Sequence, residues 1–193
     1  PIVNVTDLPN KFTRVIIEFS DKSKLFFNDI RKFGYLKIVD QEGLDEQLLK
    51  TGVEPFDREY KFEYLLEIMK RRSNLKIKPF LLEQKLLAGL GNIYADEVCF
   101  LSEVKPTRRV KTLKKSEKEL IFKYIKKVLA KAIKHRGTSF NTYVDSDGKT
   151  GGYQQFLKVY GRQGESCLRC KKGVIEKQKI NGRSSSFCPH CQK

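Results

Sequence analysis

The chain opens with short apolar runs separated by turn residues. Val15, Ile16, Ile17 and Phe19 form one β-rich run, Ser20-Asp21-Lys22-Ser23 carries turn chemistry, and Leu25-Phe26-Phe27 forms the next run. That order predicts a hairpin. Tyr35-Leu36-Lys37-Ile38-Val39, after Gly34, predicts a third strand. Three strands without helix cover leave an apolar face wet, so the segment reads as part of a larger sheet whose other strands are absent here. From Glu54 the period changes to that of a helix. Asp57 is placed to cap a helix carrying Phe62, Leu65, Leu66 and Met69. Pro79 suits the first turn of the next helix, and Phe80-Leu81-Leu82 with Leu86-Leu87 give it an apolar face. Gly89-Leu90-Gly91-Asn92 breaks that helix, and Ile93 to Leu101 predicts a short one after it. Ser116-x-x-Glu119 predicts a capping box for a longer helix running to about His135, with Leu120, Tyr124, Val128 and Ala132 as its apolar stripe. Residues 136–152, rich in Gly, Ser, Thr and Asp, read as loop.

Charge sharpens this picture. The 193 residues hold 39 Lys and Arg against 23 Asp and Glu, a formal net charge of +16. With 39% hydrophobic and 32% charged residues, the composition is that of a folded domain rather than a disordered chain. The excess favours a polyanionic partner, with nucleic acid ahead of an acidic membrane surface. Residues 105–136 carry 13 Lys and Arg against Glu117 and Glu119. Such a run is usually a solvated face, and it also adds long-range attraction to a phosphate backbone. No apolar run approaches the roughly 18 residues of a membrane helix, and Pro1-Ile2-Val3-Asn4 does not open a secretory signal.

Four of the five cysteines fall in two pairs, Cys167-x-x-Cys170 and Cys188-x-x-Cys191, with 17 residues between them. A spacer of roughly 15–20 residues is that of a four-cysteine zinc site, because each tight knuckle offers two thiolates to one tetrahedral ion. One structural Zn2+ is therefore expected, with two disulfides as the alternative. His190 is a spare neighbour facing solvent. Cys99 sits in an apolar stretch and reads as a buried, inert thiol. His135, alone on a basic helix, is given no chemical role.

Several segments, in order, resemble the formamidopyrimidine-DNA glycosylase / endonuclease VIII family of base-excision repair enzymes. They are Asn28-Asp29-Ile30-Arg31-Lys32-Phe33-Gly34, Ile77-Lys78-Pro79, and Gly89-Leu90-Gly91-Asn92-Ile93-Tyr94-Ala95-Asp96-Glu97. Asp145-Ser146-Asp147-Gly148, Gly152-Tyr153-Gln154-Gln155, Val159-Tyr160-Gly161-Arg162 and Asn181-Gly182-Arg183 follow. The Tyr-Gln-Gln element resembles the formamidopyrimidine branch.

The resemblance implies an α+β fold in three parts. Residues 1–54 would be the C-terminal part of a β-sandwich catalytic domain. Residues 55–157 would be a helix–two-turn–helix DNA-binding domain with a lesion-site loop, and 158–193 a four-cysteine β-hairpin zinc finger. It implies a bifunctional glycosylase and abasic-site lyase for oxidised purines, acting as a monomer on double-stranded DNA with damaged bases or abasic sites. Its setting would be the bacterial cytoplasm, at the nucleoid. Lys78 and Asn92 match phosphate-binding positions; a plain helix cap is the other reading of Asn92. Arg31 and Phe33 match the pair that fills the gap left by a flipped base. Arg183 matches a finger arginine that contacts the lesion phosphates and assists cleavage, and Tyr160 and Arg162 fall in the DNA-binding set. The family's nucleophile is an N-terminal proline followed by glutamate, whereas Pro1 is followed by Ile2. The expectation is an N-terminally truncated chain that binds DNA but does not cut it. The rival is a non-catalytic zinc-ribbon module that binds DNA or RNA.

Overall fold

The structure is a computed structural model that describes residues 8–139 and 150–193. Pro1 and Asp145-Ser146-Asp147-Gly148 lie outside the described residues. Strands β1 (Thr13–Glu18) and β2 (Lys24–Asn28) pair antiparallel, Glu18 opposite Lys24 and Thr13 opposite Asn28. Asp21 ties the connecting turn by accepting from the Ser23 amide, and Lys22 takes a positive φ. The hairpin is as the sequence predicts. The third strand is not formed: residues 35–39 make no ladder, and Ile38 is fully exposed. The run has strand propensity, but propensity expresses itself only against a neighbouring strand that takes its hydrogen bonds. A short helix α1 (Gln41–Leu49), capped by Asp40 onto the Gly43 amide, follows and buries no side chain.

The core lies among four further helices. They are α2 (Phe62–Arg71), α3 (Ile77–Leu81), α4 (Asn92–Leu101) and α5 (Lys115–Lys134). Leu65, Ile68 and Met69 of α2 face Ile121, Ile125 and Val128 of α5 across one apolar cluster. Asp57 does not cap α2, which begins five residues later. It accepts instead from the Glu54 amide and closes a turn. Helix α3 also departs from expectation, stopping before Leu86 and Leu87. There Val53 bridges Leu87, and a Cβ on Gly52 would lie 2.2 Å from the Leu86 carbonyl carbon, so only glycine allows that approach. The capping residue of α5 is Glu117, not Glu119: its carboxylate accepts from the Lys114 amide at 2.7 Å. The buried stripe of α5 is correspondingly Ile121, Ile125, Val128, Leu129 and Ala132, with Leu120 and Tyr124 half-buried.

Beyond a single turn at Tyr153–Phe156, strands β3 (Glu176–Ile180) and β4 (Arg183–Phe187) form a second hairpin. Asn181 and Gly182 both have positive φ, the form an Asn-Gly turn gives to a tight hairpin. A small cluster of Phe100, Val159, Cys167, Ile175 and Cys188 joins this unit to α4. Among the described residues, no helix is long and apolar enough to cross a membrane.

Candidate nucleic-acid interface and zinc centre

The two cysteine knuckles meet. The four Sγ atoms lie within 4.8 Å of one another, with Cys167 to Cys191 and Cys170 to Cys188 both at 3.7 Å. A tetrahedron with Zn–S bonds of about 2.3 Å has edges of about 3.8 Å. A disulfide needs about 2.05 Å, so the alternative pairing is excluded by geometry. These thiolates suit one structural Zn2+, with every position of the shell filled by protein. Gly173 makes the enclosure possible: its amide donates to Cys170 Sγ, and a Cβ there would lie 2.7 Å from Cys188 Sγ. His190 is exposed and outside the cluster. Cys99 is fully buried, and burial pushes its thiol well above the ordinary range.

Helix α4 begins at Asn92 with Gly91 as its cap residue, and no side chain caps its first amides. The preceding turn is braced by Gln84, which accepts from the Gly89 amide and donates to the Leu90 carbonyl. Among the described residues, a Cβ on Gly89 or Gly91 would meet nothing within 4 Å, so none of them covers this turn. Uncapped N–H groups and the positive end of the helix dipole form an anion-binding device. Asn92 thus stands at the expected place, as the first helical residue rather than the cap, and its buried Oδ1 has no partner among the described residues.

Lys78 does not reach this surface. Its side chain is 1% exposed, with Nζ 2.6 Å from Asp96 Oδ1 and donating to the Ser184 carbonyl at 2.6 Å. The phosphate contact expected of it is therefore corrected: the ammonium is spent inside the molecule. Burial pushes Lys78 down and Asp96 up, each toward its neutral form, while their attraction and the serine donors oppose this. Short distances, the Ser184 carbonyl that accepts from Lys78 and the Ser185 and Ser186 donors on Asp96 support the charged pair. The adjacent Glu97 is equally buried. Burial pushes its carboxyl up, against three backbone amides that donate to it, those of Lys158, Val159 and Tyr160. Consecutive acids on α4 thus hold β4 on one side and the strap at 158–160 on the other.

The remaining candidates divide. Arg183 opens β4 and is exposed, and among the described residues no ion pair or hydrogen bond occupies its guanidinium. Arg31 and Phe33 project from a turn that Asp29 ties by accepting from the Arg31, Lys32 and Gly34 amides. The Gly34 amide foremost holds the Asp29 carboxyl below its usual range. The Phe33 ring is 79% exposed, with the Arg31 guanidinium 5.5 Å above it. Arg162 is turned inward, to Glu165 and the Lys158 carbonyl, so its placement favours bracing the strap over touching DNA. Tyr160 is half-buried on that strap. Sequence reasoning missed Gln84, Asp96, Glu97 and Gln192. Gln192 accepts from the Cys188 amide and donates to the Val104 carbonyl, fastening the second knuckle to the helical domain. Two adjacent acids in an otherwise apolar helix were the available signal for Asp96 and Glu97.

Comparison with known proteins supplies the context. Residues 51–144 match the formamidopyrimidine-DNA glycosylase H2TH domain, and residues 164–193 match the zinc finger found in FPG and IleRS. The formamidopyrimidine-DNA glycosylase of Listeria innocua is 43% identical over 185 residues, 95% of this chain and 67% of the relative. That of Pelotomaculum thermopropionicum is 40% identical over 189 residues, 97% of this chain and 68% of the relative. The chain thus spans about two thirds of the length of these relatives. Among solved structures, Lactococcus lactis Fpg bound to abasic-site DNA superposes with a TM-score of 0.87 at 38% identity, over 97% of this chain and 69% of that one. MutM (Fpg) of Thermus thermophilus gives 0.87 at 33% identity, over 95% and 70%. Sequence identity of this order over nearly all its residues, on a fold that superposes on the DNA-bound structure with a TM-score of 0.87, makes the chain a member of the formamidopyrimidine-DNA glycosylase family.

Proposed function

We propose that these residues are the DNA-binding part of a base-excision repair enzyme, a bifunctional glycosylase and abasic-site lyase for oxidised purines. The observation that carries the reading is the pairing of an open α4 N-terminus with an exposed Arg183 on a hairpin fastened to the same helix. Both suit phosphate, the first through backbone amides and the second through a guanidinium. The protruding Phe33 ring and Arg31 suit the gap opened when a damaged base leaves the stack, one as wedge and one as partner to the orphaned base. Net charge of +16 brings the duplex in. Such a protein would work in the bacterial cytoplasm, at the nucleoid. Residues 1–54, 55–157 and 158–193 would serve as sandwich remainder, helix–two-turn–helix domain and finger.

The chemistry would be attack of a proline amine on the sugar C1′, giving an iminium with loss of the base, then β- and δ-elimination. None of the six prolines in these 193 residues is followed by glutamate, so the nucleophile and its carboxylate are not among them. Arg183 would steady the lesion phosphates during elimination. Borohydride trapping on a lesion duplex tests this. A polypeptide carrying a proline–glutamate start ahead of these residues should give a covalent adduct, and the 193-residue chain should give none. An adduct from neither would leave the binding-module reading standing and remove the enzyme.

A further inference from the structure

Three consecutive residues after Arg183 are gripped by two buried side chains of the helical domain. Lys78 Nζ donates to the Ser184 carbonyl at 2.6 Å. Asp96 accepts from Ser185 Oγ at 2.8 Å and from the Ser186 amide at 2.9 Å. Lys78 and Asp96 are joined to each other at 2.6 Å and are 1% and 0% exposed. Stability alone does not explain such a pair, since apolar groups of similar volume in place of a buried ion pair are often neutral or stabilising. What the pair supplies is direction: a hydrogen bond holds its partners to a preferred distance and angle, which apolar packing does not. Arg183 also lies near enough for its positive charge to oppose that of Lys78.

The placement along α4 gives that direction a use. Asn92 opens the helix and Asp96 lies four residues on, a rise of about 6 Å. One rigid helix therefore carries both the open amide end and the anchor of the hairpin. The base of that hairpin is held separately, by Cys188 in the cysteine cluster and by Gln192 on Val104. Without the Lys78–Asp96 grip, β4 would keep its base and lose the hold beside its tip, where Arg183 stands.

We propose that Lys78 and Asp96 are positioning residues, which set Arg183 in register with the N-terminus of α4 and act on DNA only through it. The proposal rests on the DNA-binding reading above. Single substitutions would strand a buried charge and risk the fold, so the test uses Lys78→Met/Asp96→Asn. This double change leaves the net charge at +16, and Asn can still accept from Ser186, though through a neutral hydrogen bond weaker than that to the carboxylate. The readouts are zinc content, amide exchange at Ser185 and Ser186, and dissociation constants for an abasic-site duplex at several salt concentrations. Arg183→Ala and the triple variant complete the cycle. The double variant should keep its zinc, exchange faster at Ser185 and Ser186, and bind about tenfold more weakly, as should Arg183→Ala. The triple variant should bind no worse than Arg183→Ala, with a salt slope shallower by about 0.9, one phosphate contact. Losses that add, a slope shallower by two contacts, or an Arg183→Ala variant that binds as wild type would overturn the proposal, the second by making Lys78 a direct phosphate ligand. A wild-type chain that does not bind at low salt would overturn the DNA-binding reading itself, and the positioning role with it.

Discussion

Glu117 shows how much one side chain can do at the start of α5. It caps the Lys114 amide and takes the Arg108 guanidinium on both oxygens. Burial pushes its carboxyl up, but the Arg108 hydrogen bond and the Lys114 amide outweigh that and hold it below the ordinary 4.5. A carboxylate depressed in the folded state stabilises above its unfolded pKa, and the benefit is lost as pH falls through the folded value. Glu117→Gln should therefore cost about 1–2 kcal/mol near neutral pH. The gap from wild type should close below pH 4.5 in urea titrations; a gap unchanged in acid would contradict the assignment. Gly173→Ala should weaken zinc binding roughly 10–100-fold in chelator competition, because the new methyl meets a ligand sulfur that cannot retreat. Unchanged affinity would mean that the knuckle has slack. The cysteines were legible in the sequence because metal ligation is set by local spacing. Lys78 was not, because a lysine near a basic surface and a lysine sealed against an aspartate read alike until the fold brings residue 78 to 96 and 184.

Helices were read well where a periodic stripe met a clear break. Helix α4 begins where Gly-Leu-Gly ends, and α5 runs to the expected place, although its buried face is turned from Leu120 and Tyr124 toward Ile121 and Ile125. A stripe spaced strictly by four drifts around the helix, and the side that packs is chosen by α2 and α4. Ile125→Ala should accordingly cost about 2–5 kcal/mol in chemical denaturation. Lys127→Ala, on the exposed side, should stay within about 0.5 kcal/mol. Equal losses would mean that α5 is rotated from the orientation described. The failed strand at 35–39 teaches the complementary lesson. Helical hydrogen bonds are internal to the segment, whereas a strand needs a neighbour, so sheet edges are written in distant sequence. Short α3 departs from the pattern for a related reason: Leu86 and Leu87, which would extend its apolar face, lie instead against Gly52 and Val53, a meeting of remote residues.

The molecule as a whole is a helical domain to which the finger is bolted at several points: Asp96 and Lys78 on β4, Glu97 on the strap, Gln192 on Val104, and the Lys193 backbone on Glu103 and Lys105. Zinc holds the finger together, and apparent binding energies of about 10–16 kcal/mol in such modules make it indispensable. Chelation should melt β3 and β4 while leaving the helical far-UV signal of α2 to α5 nearly intact. A cooperative loss of all helical signal would show one folding unit in place of two coupled ones. The helical domain and the finger were legible because helix period and cysteine spacing change along the chain. The couplings were not, since each joins a residue of α3, of α4 or of the turn after α4 to a residue far along the chain, as Lys78 to Ser184, Glu97 to Lys158 and Val104 to Gln192. The most direct measurement is a gel assay of the 193-residue chain on an abasic-site duplex, an 8-oxoguanine duplex and an undamaged duplex, at low and at physiological salt. Binding at low salt that falls steeply as salt rises, with both damaged duplexes left uncut, is the expected result; strand scission by the 193-residue chain, or no binding to any duplex at low salt, would contradict it.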